Sequence, residues 1–149
     1  MIRFTLVLLA LVLAPVLAPV ASAQSTAHRV VIRPVGNQMK FADTNFTVRA
    51  GEQVRLVFEN TATVEAMKHN VVILDDEAAI DRVGIAAISA VDQGYIPDDE
   101  AILFHTPLAG PQETVEVTFT APSEPGAYPY ICTFPGHYVL MRGVMTVTP

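Results

Sequence analysis

Near its C-terminus the 149-residue chain carries the run Cys132-Thr133-Phe134-Pro135-Gly136-His137-Tyr138-Val139-Leu140-Met141. A thiolate, an imidazole and a thioether separated by four and then three residues can wrap one metal ion, provided the chain turns between them. Pro135-Gly136 supplies that turn, since proline presets the backbone and glycine accepts conformations closed to other residues. His69, immediately before an apolar run that starts at Asn70, is placed to add a second imidazole.

The donor types select the metal. Soft thiolate and thioether sulfurs with two imidazoles suit a single copper ion cycling between Cu(I) and Cu(II), in a trigonal site with a long axial sulfur. Structural zinc takes four strong ligands, and a thioether is a weak one for it. Iron-sulfur clusters need several cysteines, and Cys132 stands alone. The expected metal ligands are therefore His69, Cys132, His137 and Met141. His28 falls in what reads as a loose N-terminal tail, His105 has no sulfur or histidine at ligand spacing, and Met145 lies in an alternating strand and reads as core.

These residues need a rigid frame. Short runs alternate apolar and polar residues with the strand period of two, which is an all-β signature. In Gln53 to Glu59, Val54, Leu56 and Phe58 point one way and Gln53, Arg55 and Glu59 the other. Thr114 to Thr120 repeats the pattern through Val115, Val117 and Phe119. Further strands are expected at Arg29 to Pro34, Asn45 to Arg49, Asn70 to Leu74, Ala127 to Cys132 and Gly143 to Thr148. About seven strands fill two packed sheets. Asp75 to Val91 breaks the pattern: Ile80, Val83, Ile85, Ala87 and Ile88 suit a helical face, with Asp75 or Asp76 as the N-cap. The Pro-, Gly- and Asp-rich stretch from Asp92 through Pro111 reads as a connection, so helix and connection together form a flap over the sandwich.

The N-terminus reads as an export signal: Arg3, an apolar stretch from Phe4 to Val20, then the small-residue sequence Ala21-Ser22-Ala23. Residues 1–23 are assigned to a signal peptide and 24–149 to one domain. An uncleaved membrane anchor is the alternative for 1–23, because the apolar run approaches the ~18–20 residues that span a bilayer. An exported protein normally pairs its cysteines, so a lone Cys132 asks for another purpose: an inert thiol, an intermolecular link or a metal thiolate. Nine basic and fifteen acidic residues give a net charge of -6. Nucleic acid is a poor partner for such a surface; the acidity permits steering toward a basic protein, although solubility of an exported protein is the simpler reason for it.

The C-terminal loop, with Asn37-Gln38-Met39-Lys40-Phe41 and Met67-Lys68-His69-Asn70, resembles the azurin and auracyanin branch of the cupredoxins over nearly all of residues 24–149. The spacing within the loop is the most specific part, since plastocyanin-like relatives place two residues between cysteine and histidine. The resemblance implies a Greek-key β-sandwich holding one type 1 (blue) copper ion. His69, Cys132 and His137 would be the equatorial ligands and Met141 the weak axial one. It further implies that the Asn70 side chain ties to the backbone near Thr133, while the amides of Asn70 and Phe134 point at the sulfur. Two departures stand out. Azurins usually have glycine before the first histidine, where this chain has Lys68, which favours a four-coordinate site; they also carry a disulfide that this chain has no cysteines to form.

The function that follows is single-electron transport between redox partners outside the cytoplasm, in the periplasm or another exported location. The protein is expected as a monomer that docks a c-type cytochrome or similar redox protein through an apolar patch of Met39, Met67, Phe134, Pro135 and Leu140. No Ser-His-Asp set, carboxylate pair beside a histidine or open coordination position marks an enzyme. A periplasmic copper chaperone is the alternative, although such proteins usually offer several exposed Met or His donors. A nitrite-reducing copper enzyme would need further histidines and a longer chain.

Overall fold

The computed structural model of the chain describes residues 27–149, so the expected signal segment 1–23 lies outside the described residues. The element order is β1 (His28–Ile32), β2 (Asn45–Arg49), β3 (Gln53–Glu59), β4 (Val72–Leu74), α1 (Ile80–Ala86), β5 (Ile102–His105), β6 (Thr114–Thr120), β7 (Gly126–Ile131) and β8 (Arg142–Thr148). The strands form a three-stranded sheet, β1-β3-β6, and a five-stranded sheet, β2-β8-β7-β4-β5. Two pairs are parallel, β1 with β3 and β2 with β8, and the others are antiparallel. The chain crosses repeatedly from one sheet to the other, as in the expected Greek-key sandwich.

The alternating segments fold as their period demands. Val54, Leu56 and Phe58 of β3 are buried, and Gln53 and Arg55 are exposed. They meet Tyr130, Met145 and Val147 from the larger sheet in one core that also contains Phe41, Ile32 and Cys132. Met145 is fully buried, as expected of a core residue. Phe104 stacks on Phe119 with ring centroids 4.1 Å apart, joining the edge strands of the two sheets.

The run from Val71 to Leu74 is buried on both faces. Val71 and Ile73 enter the sandwich core. Val72 and Leu74 face the other way, under Ala79, Ile80, Val83 and Ala101 of the flap. A strand covered on both sides reads as a continuous apolar run instead of an alternating one, and the flap provides that second cover.

Several expectations need correction. The stretch read as a bare connection contains β5, which pairs with β4 and makes eight strands among the described residues. The helix is shorter than Asp75 to Val91: only Ile80–Ala86 is α-helical, with 3₁₀ turns at Glu77–Ala79, Ala87–Ser89 and Val91–Gln93. Of the two candidate caps, Asp76 is the one whose carboxylate accepts the amide of Ala78, at 2.9 Å. Counting from Ile80, helical phase buries Val83, Gly84 and Ala87 and turns Ile85 and Ile88 to solvent, where both are exposed. His28 is not in a loose tail: it opens β1, and its Nδ1 lies 3.2 Å from Glu52. No helix of the described residues is long and apolar enough to cross a membrane.

Gly84 sits where α1 meets the 3₁₀ turn His137–Val139, and a Cβ there would clash with the Tyr138 ring, closer than any van der Waals contact allows. Gly84→Ala is expected to force the flap off this turn, as overpacking does, at a cost of about 1–3 kcal/mol. Urea unfolding of the variant against the parent measures it.

Candidate metal centre

The sheet order brings the donors together. Cys132 directly follows β7 and Met141 directly precedes β8, so residues 132–141 form the connection of an antiparallel pair in which Ile131 lies opposite Arg142. β4, three residues after His69, is the other neighbour of β7, with Val72 opposite Ile131. Two distant segments of the sequence therefore reach the same end of one sheet.

Backbone bonds fix each position. The amide of His69 donates to the carbonyl of Ala109 at 3.0 Å, and that of Ala109 donates back at 2.8 Å. Asn60, buried and unremarked in the sequence, donates its side-chain amide to the carbonyls of Met67, Ala109 and Gly110. Gly136 takes φ +80°, the left-handed conformation that the expected Pro135-Gly136 turn requires. The amides of Leu140 and Met141 both donate to the carbonyl of His137, and the amide of Cys132 donates to the carbonyl of Met141 at 3.1 Å.

His69, Cys132 and His137 converge in the buried interior, their donor atoms within 4.8 Å of one another. The two Nδ1 atoms are 3.1 Å apart, and the sulfur lies 3.7 Å from each. A point equidistant from three atoms so spaced lies about 2.0 Å from each, within the roughly 2.0–2.3 Å span of metal–imidazole and metal–thiolate bonds in first-row sites. Two imidazole nitrogens and a thiol sulfur aimed at one point suit a shared cation, so the residues present fit the copper ion that the ligand types select. Met141 is fully buried in the same core cluster as Cys132. His105 is exposed on β5, with its Nδ1 against the carbonyl of Thr106.

Burial sets the protonation of the metal-free site. The Cys132 thiol is pushed up to about 12, because a buried thiolate loses its hydration; backbone N–H bonds from Asn70 and Phe134 pull the other way and do not overcome it. His69 is pushed down to about 4 by burial and by the neighbouring His137. Burial lowers His137 as well. Without a metal the site is thus neutral: a protonated thiol and two uncharged imidazoles.

The surrounding groups orient the ligands. Asn70 clasps the two ligand segments, its amide donating to Thr133 Oγ1 and its carbonyl oxygen accepting the Thr133 amide, each at 2.8 Å. Phe58 stands edge-on to His69, and Phe134 edge-on to His137 with centroids 5.0 Å apart. His69 Nε2 is buried with no hydrogen-bond partner among the described residues, so packing and the Ala109 bridge hold this ring. From the flap, Tyr95 packs edge-on to Phe134 at 5.1 Å. The Thr133 hydroxyl, Asn60, Tyr95 and the Gly84–Tyr138 contact do not follow from the sequence. An asparagine just after a strand is the one signal available for Asn60; the others are contacts between distant segments.

Comparison with known proteins identifies the family. Residues 28–148 match the family model described as copper binding proteins, plastocyanin/azurin family. Auracyanin-A of Chloroflexus aurantiacus is 43% identical over 115 residues, 75% of this chain and 69% of that protein. Azurin of Pseudomonas aeruginosa is 34% identical over 120 residues, 74% of this chain and 79% of that protein. The solved structure of auracyanin A, described as a "blue" copper protein, superposes with a TM-score of 0.77 at 40% identity, over 83% of this chain and all of that one. With its sandwich fold and its buried two-histidine, one-cysteine cluster, the chain belongs to the plastocyanin/azurin family of copper-binding proteins, as a cupredoxin of the azurin and auracyanin type.

Proposed function

We propose that the protein is a type 1 copper electron carrier working outside the cytoplasm, with His69, Cys132 and His137 as equatorial ligands and Met141 as the axial one. The observation that carries this reading is the buried triangle of two Nδ1 atoms and one sulfur. Met141 is assigned from its place in the loop, its complete burial and its backbone bonds to Cys132 and His137. Residues 1–23 serve as an export signal in this reading, cleaved before residue 24.

Copper, when bound, supplies a one-electron couple between Cu(I) and Cu(II). The chain's own residues keep the site from rearranging. Asn70 and Thr133 lock the two ligand segments together, and Phe58, Phe134 and the sandwich core leave the rings little room to rotate. The amides of Asn70 and Phe134 stabilise negative charge on sulfur, so they bias one charge state of the centre over the other. His69 is fully buried and His137 is 4% exposed, which makes the His137 ring the edge of the site nearest solvent.

Of the patch expected from the sequence, Met39, Leu140 and Pro135 are exposed and Met67 and Phe134 half-buried, with Phe134 packed on His137; Val139 of the same loop is exposed too. Next to it Met39, Met67 and Leu140 line an open groove of about 500 Å³ with Lys40 and Arg142. An apolar surface beside the ligand nearest solvent suits brief docking of a redox protein such as a c-type cytochrome. The buried, closed donor set favours a carrier over a copper chaperone, which must let its ion go. The same closure leaves no position for a substrate, which argues against an enzyme.

The copper-loaded protein is expected to be intensely coloured and to titrate reversibly in a redox titration monitored by its visible spectrum; a colourless protein that surrenders copper to a mild chelator would refute the assignment. Cys132→Ala removes the sulfur donor and should abolish the visible band, with a circular dichroism spectrum like the parent's to confirm that the fold persists.

Loading should also release protons, because the thiol of the metal-free protein is protonated at neutral pH and a thiolate is the ligand. About one proton per ion at pH 7 is expected from calorimetry in buffers of different ionisation enthalpy. The metal-free protein should be most stable in a middle pH window. Below about 6.5 the unfolded chain binds histidine protons that the folded state refuses down to about 4, so stability falls as pH is lowered through that range. Above the ordinary thiol value near 9 the folded state keeps a proton that the unfolded chain gives up, so stability falls again as pH rises toward 12. Urea midpoints of metal-free protein across pH 4 to 10 measure both limbs.

A further inference from the structure

The charge of the chain is segregated. Residues 75–100 contain eight of its fifteen acidic side chains and one basic residue, Arg82, for a net charge of -7; all the rest of the sequence sums to +1. Elsewhere most carboxylates are engaged: Glu52 with His28, Glu59 with Arg29 and Arg33, Glu65 with Lys68, Glu116 with Arg55. In the flap Asp81 pairs with Arg142 and Asp99 with Arg82. Asp75, Asp76, Glu77, Asp92, Asp98 and Glu100 are exposed and form no ion pair among the described residues.

The same segment exposes an apolar stripe. Ile85 is 59% exposed, Ile88 52% and Val91 57%, at successive spacings of three along α1 and the 3₁₀ turns that follow it. Neighbours three apart share a helical surface. Glu77, eight residues before Ile85, and Asp92, directly after Val91, put exposed carboxylates without ion pairs among the described residues on either side of the stripe along the chain. An exposed apolar row rimmed by polar groups is a feature of binding surfaces. The flap also touches the metal loop twice, through Gly84 against Tyr138 and through Tyr95 against Phe134, whose ring meets His137.

We infer that the outer face of the flap, Ile85, Ile88 and Val91 with its acidic rim, is a docking surface for a basic redox protein that presents an apolar patch ringed by lysines. Charge complementarity selects this occupant. A second copy would set two rims of like charge against each other, and an anionic lipid surface or nucleic acid would be repelled for the same reason. The rim steers a cationic partner from beyond contact range, an effect that salt screens over about 8–10 Å. The apolar stripe then holds it beside the metal loop. That the partner is a redox protein rests on the electron-carrier reading; the surface itself rests on burial and charge.

The test uses the copper-loaded, isotopically labelled full domain in its reduced, diamagnetic form, titrated with a lysine-rich c-type cytochrome and, as a charge-reversed control, with the same cytochrome after succinylation of its lysines. Amide shifts at residues 77–92 that saturate with the native cytochrome and are missing with the succinylated one support the proposal. Ile85→Ser with Ile88→Ser should weaken binding about tenfold at every salt concentration. Glu77→Lys with Asp92→Lys should weaken it by an order of magnitude or more at low salt and little at high salt. Both pairs should leave the visible spectrum unchanged. Shifts confined to residues 134–140, variants that bind like the parent, or a salt-independent dimer in sedimentation would overturn the docking surface. A coloured, redox-active protein with a silent flap sinks this proposal alone. A redox-inactive protein that still binds through the flap sinks the electron-carrier reading and supports the surface.

Discussion

A sulfur anion in an apolar interior is the constraint on which the rest of this molecule depends. Burial drives the Cys132 thiol up to about 12 even against the two backbone N–H groups aimed at it. A cation held by the sulfur and the two imidazole nitrogens would supply the missing positive charge, and the desolvation of the site would strengthen its pull on the ligands. The arrangement therefore requires three donors from two distant segments to converge with their donor atoms 3.1–3.7 Å apart. The adjacency of β4 and β7, the Asn70–Thr133 clasp and the Ala109 bridge all serve that single requirement.

The clasp is also a folding constraint. Asn70 and Thr133 are fully buried polar residues, and each would be costly in the core without the other. Asn60 acts likewise, gathering the carbonyls of Met67, Ala109 and Gly110 onto one buried side chain. Polar groups buried in this way tolerate one geometry, whereas an all-aliphatic end of the sandwich could slide. The preference for one geometry is what an electron carrier needs, because every displacement of a ligand between charge states adds to the barrier.

Local features of the sequence are the legible ones. Cys132, His137 and Met141 lie in one loop, so their spacing alone points to a site, and the period of two places β3 and β6 correctly. His69 is 63 residues away from Cys132, and it joins the set through its position before an apolar run and through resemblance. The strand Ile102–His105 is hidden because its four residues are too few to establish a period. Ile85 and Ile88 read as inward only while apolar residues are counted without their helical phase. The Thr133 hydroxyl bond, the Tyr95 contact and the fit of Gly84 under Tyr138 exist only once the chain has folded, and no local pattern announces them.

The correction to Ile85 and Ile88 matters beyond the assignment of faces. Two isoleucines turned outward on and just after a seven-residue helix add little to folding, since each stays more than half exposed and keeps apolar area that only a covering surface would remove from water. Nothing in the helix requires them: Ile80, Val83 and Ala87 already fill its inner face. In the same segment, six exposed carboxylates form no ion pair among the described residues, while the rest of the sequence is close to neutral. Like charges crowded on one short segment repel each other, and apolar groups among them are poorly hydrated, so both features are unfavourable in the isolated protein. They become favourable together when a surface of opposite charge and matching apolar character covers them. The fold thereby assigns the two tasks of a carrier to different layers, with the metal held by the rigid end of the sandwich and recognition extended onto the flap that packs against it.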